Sequence, residues 1–188
     1  HPRVRRQRQM CIRDSYYGIE GKTMDVTKLF AFSNCSLLTQ STEAIPQGSY
    51  KEQQETEGEG TVSTYVPFRN GLFLSAAASL ALSLDCGYIY YGAHSDDAAG
   101  NAYPDCTEHF YKSMGDAIFE GSGKECSLEA PFINHNKADV VKEGLRLGVP
   151  YHLTWSCYEG GDKPCGHCGT CIDRAEAFRA NGVEDPAQ

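Results

Sequence analysis

The sequence predicts an α/β protein with a parallel sheet, followed by a cysteine-rich loop and a C-terminal helix. Two apolar segments of strand length, 87–93 and 128–133, are each followed by a segment with helical periodicity. The connection between the two strands is long enough to hold a crossover helix, which parallel strands require. Four cysteines lie within residues 157–171, a region with little apolar core of its own.

Composition favours a single globular domain that binds a small molecule. The chain has 188 residues, of which 40% are hydrophobic and 22% charged, and its net charge is -8. This charge argues against nucleic-acid binding through a general positive field. No apolar run approaches the roughly 20 residues that span a bilayer. The nine cysteines are unevenly spread, unlike a secreted disulfide framework, so we expect a reducing cytoplasm.

The first fifteen residues differ from the rest of the chain. They carry Arg3, Arg5, Arg6, Arg8 and Arg13, show no helical or strand periodicity, and do not begin with methionine. We interpret 1–15 as a non-native segment and 16–188 as an incomplete single α/β domain that includes the loop 157–171. A basic arm that contacts RNA is the alternative interpretation.

The first half of the domain contains one predicted buried helix and one predicted buried strand. Residues 25–30 form a possible short element, and the polar stretch 39–60, with its glycines and Pro46, is predicted to be a loop. The nearly uncharged segment 70–84 predicts a buried helix. The aromatic and β-branched residues of 87–93 predict a buried strand.

Two further helices follow the loop after that strand. The first is predicted at 107–120, with Thr107 as its N-cap and Ile118 on its apolar face. After the strand 128–133, Asn136 is predicted to cap a helix that runs to Leu147, with Val141 and Leu145 directed inward.

The most specific motif is the set of four cysteines at positions 157, 165, 168 and 171. Cys157, Cys165, Cys168 and Cys171 supply the four thiolates of a tetrahedral zinc site, and two successive Cys-x2-Cys steps let the sulfurs converge. A closed four-sulfur shell predicts one structural zinc ion per chain. An iron–sulfur cluster and four unliganded thiols are the alternatives. His167 could replace a cysteine, although a solvent-facing imidazole is the simpler interpretation.

Several segments resemble the 7-cyano-7-deazaguanine synthases, ATP-dependent enzymes of queuosine biosynthesis. The cysteine loop with its preceding Thr-Trp-Ser is similar to the zinc loop of that family. Val-Pro-Phe-Arg-Asn at 66–70, Tyr-Pro-Asp-Cys at 103–106, the stretch from Pro131 to Lys-Ala-Asp-Val at 137–140, and Gly-Val-Pro at 148–150 also resemble family segments. The resemblance covers residues 25–183 in one order.

The resemblance implies a fold, a reaction and a set of partners. The fold is an adenine nucleotide alpha hydrolase-like α/β fold with a doubly wound, mostly parallel sheet, and the implied assembly is a homodimer. The reaction converts 7-carboxy-7-deazaguanine and ammonia to 7-cyano-7-deazaguanine, with ATP and Mg2+ as co-substrate. The alternatives are a related amidating or tRNA-modifying enzyme of the same superfamily and a non-catalytic, zinc-stabilised binding module.

The resemblance also implies a set of substrate- or nucleotide-binding residues, while it identifies no catalytic base. The expected site consists of Arg69, Asn70, Asp96, Asp97, Tyr103, Asp105 and Lys137. Arginine is the favoured planar partner for phosphate or carboxylate, and carboxylates after a strand could read a guanine-like edge or hold Mg2+. Helix caps, an ordinary acidic loop and a solvated lysine are the structural alternatives for the same positions.

One family motif has no counterpart in this sequence. The family's ATP-binding loop reads Ser-Gly-Gly-x-Asp-Ser, and the segment 120–125 has neither its spacing nor that of a Walker loop. We therefore expect that a chain with this sequence alone does not catalyse the reaction, because an upstream strand and phosphate-binding loop are missing.

Overall fold

The computed structural model describes residues 12, 14–58 and 60–187, so the arginine-rich start of the chain lies almost entirely outside the described residues. The helices in chain order are α1 (Tyr50–Glu57), α2 (Arg69–Ser83), α3 (Ser95–Ala98), α4 (Glu108–Gly121), α5 (Lys137–Arg146) and α6 (Gly169–Ala180). Short 3-10 helices lie at Thr27–Phe30, Ala99–Asn101, Pro104–Cys106 and Tyr151–Leu153. No helix in the described ranges is long and apolar enough to cross a membrane.

The sheet of the described residues has two parallel strands, β1 (Tyr88–Tyr90) and β2 (Ser127–Glu129). Ile89 lies opposite Leu128 in the register, and both side chains are buried. Both strands appear where the sequence predicts them and run in parallel, although each is shorter than expected. Further strands of the predicted doubly wound sheet are not present among the described residues.

Helices α2 and α4 cover one face of this sheet. Leu74 and Ala81 of α2 and Ile118 of α4 share a buried cluster with Ile89 and Leu128. Thr107 accepts a hydrogen bond from the first turn of α4, as its predicted N-cap role requires. The predicted helices at 70–84 and 107–120 are therefore confirmed within one residue at each end. The first of them is not buried on all sides as predicted, because only one face packs on the sheet, and Phe73 and Leu80 are 44% and 39% exposed.

The opposite face of β1 is exposed, contrary to the prediction of a buried strand. Tyr88 is 64% exposed and Tyr90 is 74% exposed, whereas Ile89 between them is buried. The reason is geometric, because successive side chains of a strand point to opposite faces and only one face packs on helices here.

Helix α5 packs against α6 through Val141, Ala177 and Phe178, which form a second buried cluster. Asn136 caps α5 in a reciprocal capping box with Asp139, which confirms the predicted start of this helix. The inward placement of Val141 is confirmed, but Leu145 is 41% exposed and its predicted burial is wrong. Leu145 lies one turn beyond Val141, where the contact with α6 has ended.

Helix α1 corrects the prediction of a loop at 39–60. Ser49 and Glu52 form a capping box at its start, and Tyr50 is buried against Ala93 and Tyr103 in a third cluster. The helix is almost entirely polar, so it lacks the apolar periodicity by which a helix is predicted from sequence. It is held mainly by this capping box and by the burial of Tyr50.

Candidate functional site

The four predicted zinc ligands lie together in the structure. The sulfur atoms of Cys157, Cys165, Cys168 and Cys171 are all within 4.8 Å of one another. The Cys165 and Cys171 sulfurs are 3.9 Å apart. In a tetrahedral site with zinc–sulfur bonds of about 2.3 Å, neighbouring sulfurs are about 3.8 Å apart, so the donor set fits a zinc ion.

Backbone N–H groups of the loop donate hydrogen bonds to the cysteine sulfurs and so orient the thiols. The N–H of Cys165 donates to the sulfur of Cys157 at 3.3 Å, and the N–H of Cys168 donates to the sulfur of Cys165 at 3.4 Å. Gly166 lies between them with φ of 81°, a left-handed conformation that glycine adopts without strain. His167 is exposed, as expected for a residue outside the four-sulfur shell.

One of the thiols ionises more readily than its neighbours. Burial acts to raise the pKa of Cys168, but hydrogen bonds from the Thr170 hydroxyl and from the N–H groups of Tyr158 and Cys171 outweigh burial and lower it to about 7. Burial raises the pKa of Cys165 and of Cys171. A thiolate at Cys168 is therefore the first ligand available to an incoming cation.

A cavity of about 330 Å³ lies beside this cysteine loop. Helices α5 and α6 form one wall, the segment that follows β1 forms another, and Tyr158 of the cysteine loop closes it on a third side. The volume is at the lower end of the range for small-molecule sites, which is about 300–1,000 Å³. The cavity is therefore large enough for one small-molecule ligand.

Four of the seven predicted binding residues line this cavity, namely Arg69, Asp97, Tyr103 and Lys137. They come from three segments separated by tens of residues, and the fold brings them together. The structure therefore brings these four residues to one cavity, and their roles in binding stay predictions.

The other three predicted residues hold the cavity wall in place. Asp105 is buried, and its Oδ2 accepts the Asn70 backbone N–H at 2.9 Å. The side-chain amide of Asn70 donates to the sulfur of Cys106 at 3.3 Å. Asp96 accepts the backbone N–H of Lys137 at 2.7 Å. Asp105 and Asp96 therefore satisfy donors at the starts of α2 and α5, a capping role performed from elsewhere in the chain.

Two charged groups on the cavity wall, Lys137 and Asp97, each lie near a side chain that can pair with them. The Lys137 ammonium lies 3.5 Å from Asp173, and the His94 imidazole lies 3.4 Å from Asp97. Burial lowers the pKa of His94 against the opposing effect of Asp97, and burial raises the pKa of Asp173 against the opposing effect of Lys137. Because its pKa is lowered, the His94 imidazole is neutral at neutral pH.

A family model described as Queuosine biosynthesis protein QueC matches residues 5–182. The chain belongs to the QueC family. Membership supports the predicted adenine nucleotide alpha hydrolase-like α/β class, of which the described residues contain two parallel strands. The match begins within the segment 1–15, and the interpretation of that segment as non-native stays a prediction.

Relatives from bacteria and an archaeon agree with this assignment. A 7-cyano-7-deazaguanine synthase from Caldicellulosiruptor saccharolyticus is 44% identical over 167 residues, which cover 89% of this chain and 70% of the relative. The synthase from Psychromonas ingrahamii is 39% identical over 90% of this chain and 73% of its own length. The synthase from Archaeoglobus fulgidus is 45% identical over 77% and 57%. QueC proteins are thus an enzyme family of queuosine biosynthesis.

In this QueC chain, sequence reasoning missed several residues of the cavity wall. Tyr50 lies in the segment 39–60, which the sequence predicts to be a loop, and Tyr158 lies within the cysteine motif. Neither is therefore among the expected binding residues. Arg174 also lines the cavity, where its guanidinium pairs with Asp185 through two hydrogen bonds of 2.6 and 2.8 Å and donates to Thr154 at 2.8 Å. Arg174 lies four residues before Phe178 in α6, and its guanidinium lies over the Phe178 ring. This i,i+4 spacing was the feature of the sequence that could have placed Arg174 beside a buried aromatic residue.

Proposed function

We propose that this chain carries the substrate-binding cavity of an ATP-dependent ligase that converts 7-carboxy-7-deazaguanine and ammonia to 7-cyano-7-deazaguanine. The proposal includes ATP with Mg2+ as co-substrate, a homodimeric assembly and a cytoplasmic location. It is supported by the family, by the synthase activity for which the relatives are named and by the presence of four expected binding residues on the cavity wall.

The observation that carries the proposal is the convergence of Arg69, Asp97, Tyr103 and Lys137 on one cavity. Two cations suit the carboxylate of the substrate or the phosphates of ATP, since arginine binds either group through paired hydrogen bonds. Lys137 is also the first residue of α5, where the helix N-terminus favours negative charge. The Asp97 carboxylate accepts N–H groups of a guanine-like edge.

The proposed chemistry is a dehydration in two stages. A carboxylate is a poor electrophile, so ATP first converts one of its oxygens to a leaving group, and ammonia displaces this group to give an amide. A second activation, on the amide oxygen, then permits loss of that oxygen and of the remaining N–H protons, which leaves the nitrile. The cavity residues bind and orient the substrate, while the activation requires the family's ATP-binding loop, which this sequence lacks.

Nitrile formation tests the reaction directly. We expect no product from the chain alone with 7-carboxy-7-deazaguanine, ammonium, ATP and Mg2+, and product from a chimera that places the ATP-binding segment of the Caldicellulosiruptor relative ahead of residue 16. Mass spectrometry measures the product, and the intact relative is the positive control. A folded chimera that forms no nitrile contradicts the proposed reaction, and nitrile from the chain alone contradicts its proposed inactivity.

Ligand binding tests the cavity without turnover. We expect 7-carboxy-7-deazaguanine to bind the chain, and Arg69→Gln to weaken binding about tenfold or more, since a charge-assisted hydrogen bond contributes about 1.5–3 kcal/mol. Arg146→Gln is the control, because Arg146 is exposed, lies outside the cavity wall and pairs with the nearby Glu143. Isothermal titration calorimetry measures both affinities, and equal affinities contradict the assigned role of Arg69.

We further propose one structural zinc ion at the four cysteines, with all four thiolates as ligands. Because four sulfurs leave no position for water, this ion stabilises the fold and takes no part in the chemistry. Ligand thiols must lose protons when zinc binds, and burial raises the pKa of Cys165 and of Cys171, so zinc affinity falls as the pH falls through neutrality and below it.

Metal analysis tests the zinc site. We expect one zinc per purified chain by mass spectrometry, loss of that zinc in Cys168→Ser, and full zinc content in Cys86→Ser, since Cys86 is exposed and lies outside the loop. Iron with sulfide, or equal metal content in the two variants, contradicts the proposal.

A further inference from the structure

Four side-chain hydroxyls form one connected cluster between the cysteine loop and the cavity. The Tyr158 oxygen lies 2.8 Å from that of Tyr50 and 3.2 Å from that of Tyr103. The Tyr103 oxygen in turn lies 3.3 Å from that of Tyr50 and 2.6 Å from that of Thr64. We call Tyr50, Thr64, Tyr103 and Tyr158 the hydroxyl cluster. Its members come from four different segments of the chain.

Three of the four members of the hydroxyl cluster are buried, and Tyr158 is half-buried. Thr64 is 1% exposed, Tyr103 is 6% exposed and Tyr50 is 8% exposed. A hydrogen bond between buried hydroxyls is costly to lose, most of all at Thr64, which does not line the cavity. A displacement of one hydroxyl therefore disturbs the hydrogen bonds of its neighbours.

One end of the hydroxyl cluster is attached to the cysteine loop. Tyr158 follows Cys157, and its backbone N–H donates to the sulfur of Cys168. The segment that leads into Tyr50 is attached as well, since the Gly48 N–H donates to the His167 carbonyl at 3.0 Å. An added Cβ at Gly169 would lie 3.2 Å from the Tyr50 ring, so α1 and the start of α6 are in close contact.

Three members of the hydroxyl cluster also face the cavity. Tyr50, Tyr103 and Tyr158 all line it, on the same wall region as Asp97. Any change in the position of Tyr158 therefore changes the surface that a ligand meets, even though the cysteine sulfurs themselves do not line the cavity.

We propose that Tyr158 is a positioning residue that couples metal binding at the four cysteines to the arrangement of the cavity wall. The inference rests on the proposed metal site. With metal bound, the loop fixes Tyr158, which holds Tyr50 and Tyr103 in place for the ligand. Coupling between two sites is reciprocal, so a change at Tyr103 alters metal affinity although Tyr103 is not a ligand and does not adjoin one in the chain.

This reciprocity gives the test, which uses Zn2+ alone as the probe. Zinc affinity is measured by chelator competition on the full chain and on Tyr103→Phe, Tyr158→Phe and the double variant. We expect Tyr103→Phe to weaken zinc binding about 2- to 10-fold, the equivalent of one hydrogen bond. We expect the loss caused by Tyr103→Phe to be smaller once Tyr158 is phenylalanine, because only the route through Tyr50 then still connects Tyr103 to the cysteine loop.

Tyr151→Phe is the matched control. Tyr151 also lines the cavity, but its hydroxyl donates to the carbonyls of Val140 and Val141 and not to the hydroxyl cluster. Its zinc affinity is expected to equal that of the unmodified chain. Equal effects of Tyr103→Phe and Tyr151→Phe overturn the proposal, as does an effect of Tyr103→Phe that is undiminished in the Tyr158→Phe background.

A substitute variant and the separate outcomes for metal and ligand binding show which of the proposals has failed. If Tyr158→Phe does not fold, Thr64→Val breaks the hydroxyl cluster at its far end and is expected to weaken zinc binding in the same range. A chain that binds no metal overturns both the metal site and this inference, whereas metal binding without coupling overturns the inference alone. If 7-carboxy-7-deazaguanine does not bind, the proposed substrate is wrong, and the variant series still decides the coupling.

Discussion

Two buried side chains in the described part of the chain each carry a polar atom without a protein hydrogen bond, Nδ1 of His94 and Oδ1 of Asp105. Both residues lie at or next to the cavity. Buried polar atoms are nearly always paired, so each exception needs a physical reason. For His94 the reason is electrostatic, because a neutral imidazole that faces Asp97 through Nε2 leaves Nδ1 as an acceptor.

The buried imidazole predicts an acid-sensitive contribution to stability. Burial lowers the pKa of His94, so the folded chain resists protonation at a pH where the unfolded chain, with an ordinary histidine pKa of about 6.5, takes up the proton. This contribution is present above about pH 6.5 and is lost as the pH falls further. We expect His94→Gln to lose less stability between pH 7.5 and 5.5 than the unmodified chain in urea denaturation. His109→Gln, at an exposed position, should lose as much as the unmodified chain.

Asp105 predicts a large effect from a single carboxylate. Asp105→Ala leaves the Asn70 N–H at the start of α2 without its acceptor in a buried environment, which costs about 1–3 kcal/mol of unfolding free energy. Asp116→Ala removes a carboxylate from an exposed position of α4 and should change stability by less than about 0.5 kcal/mol. Urea denaturation of both variants checks this, and equal effects would rule out a capping role for Asp105.

At the scale of secondary structure, helix α1 depends on its contact with the start of α6. Gly169 is the first residue of α6, and a Cβ there would lie 3.2 to 3.3 Å from Tyr50, Gln53 and the Gly48 carbonyl. These distances are tighter than most Cβ contacts in proteins, and the Gly48 carbonyl belongs to the backbone, which moves less readily than a side chain. The absence of a side chain at Gly169 is therefore what allows a polar, weakly predicted helix to pack over the cysteine loop.

This contact predicts opposite effects for two glycine substitutions. Gly169→Ala should destabilise the chain by about 1 kcal/mol or more, because the α1 side chains must move to admit the methyl group. Gly121→Ala, in the last position of α4 with nothing within 4 Å of the added Cβ, should be neutral or stabilising by up to about 1 kcal/mol. Thermal denaturation measures both, and a stabilising Gly169→Ala would contradict the close packing.

At the scale of the whole molecule, one face of the two-stranded sheet is exposed to solvent. Tyr88 and Tyr90 lie on that face and are mostly exposed, and Leu84 beside β1 is 51% exposed. Contiguous apolar surface of this kind favours association in water. The structure describes one chain, so the predicted homodimer stays a prediction.

We expect the purified chain to associate with increasing concentration. Sedimentation velocity should show species larger than the monomer, and the double change Tyr88→Lys and Tyr90→Lys should shift the distribution toward the monomer, because two charges replace exposed aromatic rings on the sheet face. Phe32→Lys is the control, since Phe32 is fully exposed but lies outside the sheet. A soluble monomer with one cooperative melting transition at all concentrations would contradict this expectation.

The features that the sequence determined by itself depend on residues close together in the chain. Thr107 and Asn136 cap helices through hydrogen bonds three residues away, and the cysteines at 165, 168 and 171 converge because their spacing is that of one tight turn. The approximate positions of β1 and β2 were likewise evident, although each strand buries a single side chain, Ile89 or Leu128, and not a continuous apolar run. These local interactions form between residues that are close together in the sequence.

The tertiary structure alone decided which polar residues face the cavity and which support it. Asp96 and Asp97 are adjacent in sequence, yet Asp96 caps α5 from 41 positions away and Asp97 lines the cavity. The hydroxyls of Tyr50 and Tyr158 meet across 108 positions. Such contacts depend on how the packed helices and the cysteine loop place distant segments, and side-chain hydrogen bonds of this range leave no periodic or spacing pattern in the sequence.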